Sequence, residues 1–216
     1  MDHEIITQLI TAIVDGEPEL TVELTRQALA AGLEPLVIID QGLIPGMEIV
    51  GQKFACGDYF LPNLIISANG MQAAMTLLEP ELRARQQERK SAGKVVIGTV
   101  HGDIHEIGKS LVATMLSANG FQVFDLGVDV PVGTFIAKIR ETGANLLGLS
   151  ALLTTTMVVQ REIIAALKQA GLRECVKVMV GGAPVTHNWA EQIGADGYAE
   201  DAIGAVALAK RLTSGV

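Results

Sequence analysis

From Lys94 onward the chain alternates short apolar segments with stretches of helical period, and that alternation leaves few folds open. Lys94–Val100 (KVVIGTV), Phe121–Phe124, Asn145–Leu149 and Val176–Val180 are β-branched or leucine-rich, and a weaker run lies at Asp196–Tyr198. Helical stretches of roughly 10–15 residues separate them. Apolar runs without in–out alternation are strands covered on both faces. A strand returns parallel to its predecessor only through a crossover long enough to hold a helix. The reading is a flavodoxin/Rossmann-like five-stranded parallel sheet with helices on both faces, in the flavodoxin-like strand order.

The preceding residues carry only the helical period. Ile5, Ile6, Leu9, Ile10, Ile13 and Val14 fall on one face, and Asp15-Gly16 stops that helix. Glu17-Pro18 opens a second, which Ala30-Ala31-Gly32 ends. A third runs from Glu34 to Phe54, where Gly42, Pro45 and Gly46 predict a kink or break. A fourth places Leu61, Leu64, Ile65, Ala68, Met71, Met75 and Leu78 on one face. Four amphipathic helices with short connections make a small bundle. The polar segment Arg83–Lys94 (RARQQERKSAGK) reads as the tail of the fourth helix and a linker. The expected organisation is a helical domain at 1–88 and an α/β domain at 89–216.

Composition narrows the partners. The chain has 216 residues, 49% of them apolar and only 4% aromatic, so its core is built from Ala, Val, Ile and Leu. A net charge of −8 argues against a nucleic-acid partner, which needs a basic surface. The N-terminus, MDHEIITQ, is acidic and polar, unlike a signal peptide, and no apolar run approaches the ~20 residues that span a bilayer. Cys56 and Cys175 form no Cys-x-x-Cys pair, which fits a reducing cytoplasm.

An open α/β sheet binds its ligand at the carboxyl ends of its strands, near the switch in strand order. Three loops would meet there: His101–Gly108 (HGDIHEIG), Ser150–Thr156 (SALLTTT) and Gly181–Pro184 (GGAP). They bring a carboxylate, an imidazole, several hydroxyls and a diglycine. His105 follows Asp103 by two residues. A carboxylate that accepts the Nδ1 proton of a histidine turns Nε2 outward as a ligand or base. A loop histidine bonded only for local order fits the same two residues. No His-x-x-x-His, His/Cys pair or carboxylate cluster accompanies it, which disfavours a zinc or iron site built from protein alone. One histidine suffices where the metal arrives inside a macrocycle. Lys109-Ser110 lacks the glycine spacing of a phosphate loop.

The run Asp103–Gly108 (DIHEIG) matches the D-x-H-x-x-G motif of cobalamin-binding domains. Ser150–Leu152 and Gly181–Gly182 match that family's S-x-L and G-G motifs, in order. Phe60–Asn63 (FLPN) and Leu78–Pro80 (LEP) resemble the helical cap that precedes the cobalamin domain of methionine synthase. The whole chain resembles the stand-alone corrinoid proteins that serve methanol, methylamine, glycine-betaine and methoxy-aromatic methyltransferase systems in one-carbon metabolism.

The resemblance implies that the cofactor is cobalamin or a related corrinoid, with its own base displaced from cobalt and His105 as the lower axial ligand. Asp103 is then the hydrogen-bond partner of His105, and Thr156 extends the relay from a position where the family also uses serine. The motif loop Gly102, Asp103, Ile104, His105, Glu106, Ile107 and Gly108 binds the corrinoid. Gly108, Gly181 and Gly182 leave room for the displaced nucleotide tail, Ser150 and Thr154 hydrogen-bond it, and Leu152 packs against it. Phe54 and Leu61 of the helical cap shield the methyl group on cobalt. A substrate-specific methyltransferase delivers that group and a second passes it to tetrahydrofolate or a thiol, with a corrinoid reductive activator as a possible third partner. The chain is then a carrier subunit, without catalysis of its own, and Gln86–Gly93 is its hinge. A cobalamin-dependent sensor or a small subunit of an adenosylcobalamin enzyme are the alternatives. The first needs an output module and the second a barrel domain, and neither is evident in the sequence.

Overall fold

The computed structural model describes residues 2–84 and 92–214. The chain divides into two units, Met1–Lys90 and Ser91–Val216. The boundary expected after residue 88 and most of the expected hinge, Gln86 to Ser91, lie outside the described residues.

The first unit is a bundle of α1 (Asp2–Val14), α2 (Pro18–Ala30), α3 (Pro35–Ile38), α4 (Ile44–Ala55) and α5 (Leu61–Ala84). Leu9, Ile13, Ile38, Leu43, Leu64 and Leu78 form its buried interior. The break expected near Pro45 is instead a π-helical turn, Ile39–Leu43, that joins α3 to α4. The Ile44 N–H bonds back five residues to the Ile39 carbonyl. The wider turn lies just before Pro45, which has no N–H for an ordinary helical bond. Gly42 and Gly46 serve close approach: a Cβ at either would stand 2.8 Å from Leu9 or Ile13 of α1. On α5 the buried stripe runs through Leu64, Ser67, Ala68, Met71, Ala74 and Leu78. Ile65, expected on that stripe, is exposed, because it stands one helical step off the line that 64, 68, 71 and 78 define.

The second unit holds the sheet: β1 (Lys94–Thr99), β2 (Gln122–Asp125), β3 (Leu146–Ser150), β4 (Lys177–Gly181) and β5 (Gly197–Tyr198). All pairs are parallel and the order is β2-β1-β3-β4-β5. The helices are α6 (Ile107–Ala118), α7 (Val132–Thr142), α8 (Thr154–Gln169), α9 (His187–Ile193) and α10 (Ala202–Thr213). α6 packs with α10, while α7, α8 and α9 pack in sequence around Phe135, Leu147, Ile163 and Trp189. The central strands are therefore apolar throughout, as a sheet covered on both faces requires. Strand order reverses between β1 and β3, and Thr99, Ser150 and Gly181 end three adjacent strands in register. That edge is where such a sheet binds ligands. Among the described residues, no helix is long and apolar enough to cross a membrane.

Candidate functional site

The loop after β1 turns sharply at Gly102, whose φ of 82° is left-handed. The Thr99 hydroxyl at the end of β1 donates to the His105 carbonyl at 2.9 Å, folding the loop back over its own strand. Asp103 is the fastening point. Its side chain has no accessible surface. One carboxylate oxygen accepts the His105 backbone N–H at 3.1 Å and lies 2.7 Å from His105 Nδ1. The other accepts the Leu152 N–H at 2.7 Å and the Thr156 hydroxyl at 2.6 Å. Burial by itself pushes the Asp103 carboxyl up. The bonds from Thr156, Leu152 and His105 outweigh it and hold the group far below the usual carboxylate range.

An ionised carboxylate can only accept, so the Nδ1 of His105 carries the proton and Nε2 keeps a free lone pair. The His105 side chain is 46% exposed. It borders a cavity of about 360 Å³ together with Gly108, Ser150, Leu152, Gly181 and Gly182. Ile104, just before His105, and Ile107, the first residue of α6, are 74% and 80% exposed, and Leu152 and Leu153 also face outward. A half-exposed imidazole nitrogen framed by exposed apolar side chains has the chemistry to meet a metal carried by a large, partly apolar group.

Gly108 supports the same reading. Its φ is not left-handed, and a Cβ placed there would meet nothing within 4 Å. The chain's own packing does not require glycine at that point, and Gly108 lines the cavity. Gly182 is different: its φ is 120° and a Cβ would stand 1.8 Å from the Ala151 carbonyl oxygen. There the chain's own packing demands glycine.

A family model described as the B12 binding domain matches residues 93–207, and a second with the same description matches residues 5–79. The trimethylamine corrinoid protein of Methanosarcina barkeri is 49% identical over 208 residues, 96% of each chain. The chain belongs to the corrinoid methyl-carrier proteins. Its cofactor is cobalamin or a related corrinoid, and the half-exposed His105 imidazole, the exposed apolar side chains beside it and the side-chain-free Gly108 fit that group. A chain of the methanol:cobalamin methyltransferase complex of Methanosarcina barkeri superposes with a TM-score of 0.90 at 33% identity, covering 99% of this chain and 81% of that one. A cobalamin-binding protein of Desulfitobacterium hafniense DCB-2 superposes with a TM-score of 0.75 at 36% identity, covering 96% and 98%.

Within this corrinoid protein the structure gathers Asp103, His105, Leu152 and Thr156 into one hydrogen-bonded group beside the cavity. Glu106 stands exposed immediately before α6. Thr154 opens α8 with its side chain exposed and is not among the residues lining the cavity. Phe54, in the last turn of α4, and Leu61, the first residue of α5, are each half-buried within the helical unit.

Three features escaped the sequence reading. Lys109, set aside there as a broken phosphate loop, has a side chain only 1% exposed and meets both oxygens of Asp125 at 2.8 and 2.6 Å. Gln160 is fully buried, donates to the Leu149 carbonyl at 3.1 Å and accepts the Trp189 indole N–H at 2.9 Å. Asp129 contacts the ligand loop directly through Gly102 at 2.7 Å. Only a polar residue inside an apolar helical stretch hinted at the first two.

Proposed function

We propose that the corrinoid binds with its own base off the metal and the Nε2 of His105 in that place. The carrier then serves two enzymes, a substrate-specific methyltransferase and a second acting on tetrahydrofolate or a thiol, with a reductive activator restoring the working oxidation state. Methylated amines are the first donors to test, given the likeness to a trimethylamine corrinoid protein. A reducing cytoplasm suits these partners.

Bound, the corrinoid supplies a cobalt that in its reduced form takes up a methyl group and later yields it. The chain's residues set the conditions for that chemistry. Asp103 keeps the proton on Nδ1 of His105 and so keeps Nε2 available as a ligand. Thr156 has a choice of acceptors, Asp103 at 2.6 Å or the Leu153 carbonyl at 3.0 Å. Its hydroxyl can follow a change of charge on the carboxylate–imidazole pair without being left unpaired. Ile104, Ile107 and Leu152, exposed beside His105, would cover part of the bound corrinoid and exclude water there.

The observation that carries this reading is the covered carboxylate that fixes the tautomer of a half-exposed histidine beside the cavity. The test is reconstitution with hydroxocobalamin, followed by visible spectroscopy and electron paramagnetic resonance of the cobalt(II) form with isotopically labelled histidine. Wild type is expected to show one histidine nitrogen on cobalt and His105→Ala none. Binding with the cofactor's own base still on the metal in both proteins would defeat the assignment.

A further inference from the structure

Among the described residues Asp129 is the one non-glycine residue with a left-handed backbone, φ 54°. Such a conformation is uncommon for side-chain-bearing residues, and Asp and Asn are the least reluctant to adopt it. Glycine would meet the backbone requirement without strain, so the carboxylate that stands there invites a reason. Its contacts supply one. The Asp129 backbone N–H donates to the Asp103 carbonyl at 2.9 Å. Its Oδ1 accepts the Gly102 N–H at 2.7 Å and lies 2.8 Å from His101 Nδ1. The next residue is anchored in turn, because the Val130 N–H donates to the Thr99 carbonyl at 3.0 Å and Val130 bridges Val100.

We propose that Asp129 is a positioning residue for the ligand loop: its carboxylate and backbone N–H clasp Gly102 and Asp103 from the loop after β2, fixing the direction in which His105 presents Nε2. This rests on His105 being the cobalt ligand. Asp103 is held on its carboxylate side by Leu152 and Thr156 and on its backbone side by Asp129. Release of the second hold leaves the carboxylate in place and loosens the Gly102–His105 stretch, which then keeps only the Asp103 N–H on the Val100 carbonyl and the Thr99 hydroxyl on the His105 carbonyl besides the carboxylate. The carboxylate of Asp129 is half-exposed, so its bonds add little to global stability. The Gly102 N–H lowers its pKa most and the His101 ring contributes, which agrees with a carboxylate ionised in place.

Two variants separate the side chain from the backbone requirement. Asp129→Gly keeps the left-handed turn without strain and removes the acceptor, whereas Asp129→Asn keeps both. In the apoprotein, amide exchange at Gly102 is expected to quicken about tenfold in Asp129→Gly, with the melting temperature moving by less than ~2 °C. In the cobalamin-loaded protein, the fraction with histidine nitrogen on cobalt is expected to fall and the dissociation constant to rise roughly three- to tenfold. Asp129→Asn is expected to restore both. An unchanged ligated fraction in Asp129→Gly, or no rescue by Asp129→Asn, overturns the proposal. Absence of histidine nitrogen on cobalt in wild type defeats the ligand reading instead, and the Gly102 exchange rates still show whether the clasp holds the loop.

Discussion

Replacing Asp103 by Asn keeps the shape of the fastening point and turns one of its acceptors into a donor. The carboxylate receives two donors on each oxygen: His105 N–H and Nδ1 on one, Leu152 N–H and the Thr156 hydroxyl on the other. An amide NH2 must face one of these pairs. Towards Leu152 it opposes a backbone donor now bonded at 2.7 Å, which cannot change role. Towards His105 it opposes a weaker backbone bond of 3.1 Å and a ring nitrogen that can become an acceptor by moving its proton. The amide therefore turns its NH2 to the histidine, Nδ1 accepts, and the proton moves to Nε2, where it blocks the metal. One partly buried backbone donor loses its partner, at a cost of about 1–3 kcal/mol. That donor, the His105 N–H, is only partly buried, so water can relax part of the loss and the lower half of the range applies. A loss of about 1–2 kcal/mol in a unit this size lowers the melting temperature by roughly 3–10 °C. Nitrogen NMR of labelled histidine in the apoprotein, at a pH where the ring is neutral, reads the tautomer directly. The expected result is Nδ1–H in wild type and Nε2–H in Asp103→Asn, with cobalamin bound but not ligated by histidine. An Nδ1–H tautomer in both proteins would refute the reasoning, because ligand readiness would then not depend on the charge of Asp103.

Two further outcomes follow from the same geometry. Gly108→Ala places a methyl group where nothing lies within 4 Å. The apoprotein should melt at the wild-type temperature or higher, a helical Gly→Ala gaining up to ~1 kcal/mol, while cobalamin affinity falls at least about tenfold. Gly182→Ala, by contrast, puts a Cβ 1.8 Å from the Ala151 oxygen at a φ of 120°, and should cost about 3 kcal/mol or more before any cofactor is added. Thermal melts beside binding titrations check the pair, and equal effects on stability at the two glycines would contradict it. The lowered pKa of Asp103 gives a pH signature. A carboxyl depressed in the folded state stabilises fully above its unfolded value near 3.8, and loses that contribution as pH falls towards the folded value. Urea midpoints of wild type and Asp103→Asn should differ by a constant amount above about pH 5 and converge below about pH 4. A gap that persists undiminished into that range would show the carboxyl is not depressed.

The sheet was legible in the sequence because strand and helix periods are local: each of the five apolar runs coincides with a strand to within a residue or two. The strand order came from the scarcity of alternatives. Relations between distant residues were harder to read. For Lys109 the sequence excludes a phosphate loop but does not show its buried ion pair, because the partner, Asp125, lies 16 residues away on another element. Ile65 was misplaced because a helix buries a stripe whose centre depends on neighbours that the helix's own sequence does not name. The motif residues His105 and Asp103 were visible as a pair, yet the two donors on the far oxygen of Asp103 come from residues 49 and 53 positions on. Asp129 carried no local mark at all, since a left-handed aspartate is spelled like any other.

The glycines and the carboxylate together explain how a surface loop can hold His105 steadily. Thr99, Ser150 and Gly181 lie in one register line across β1, β3 and β4. The Val100 N–H bonds the Ser150 carbonyl, and the Ala151 N–H bonds the Gly181 carbonyl. Gly182 lets that second loop pass so close to Ala151 that no side chain fits between them. Leu152, one residue further, then delivers its N–H to Asp103 at a point fixed by the sheet. The direction of His105 is thus referred back through Asp103 to the parallel register, and a loop on the surface inherits the rigidity of the core beneath it. Gly108 lies on the other side of this distinction: it borders the cavity, and the chain's own packing does not require it to be glycine.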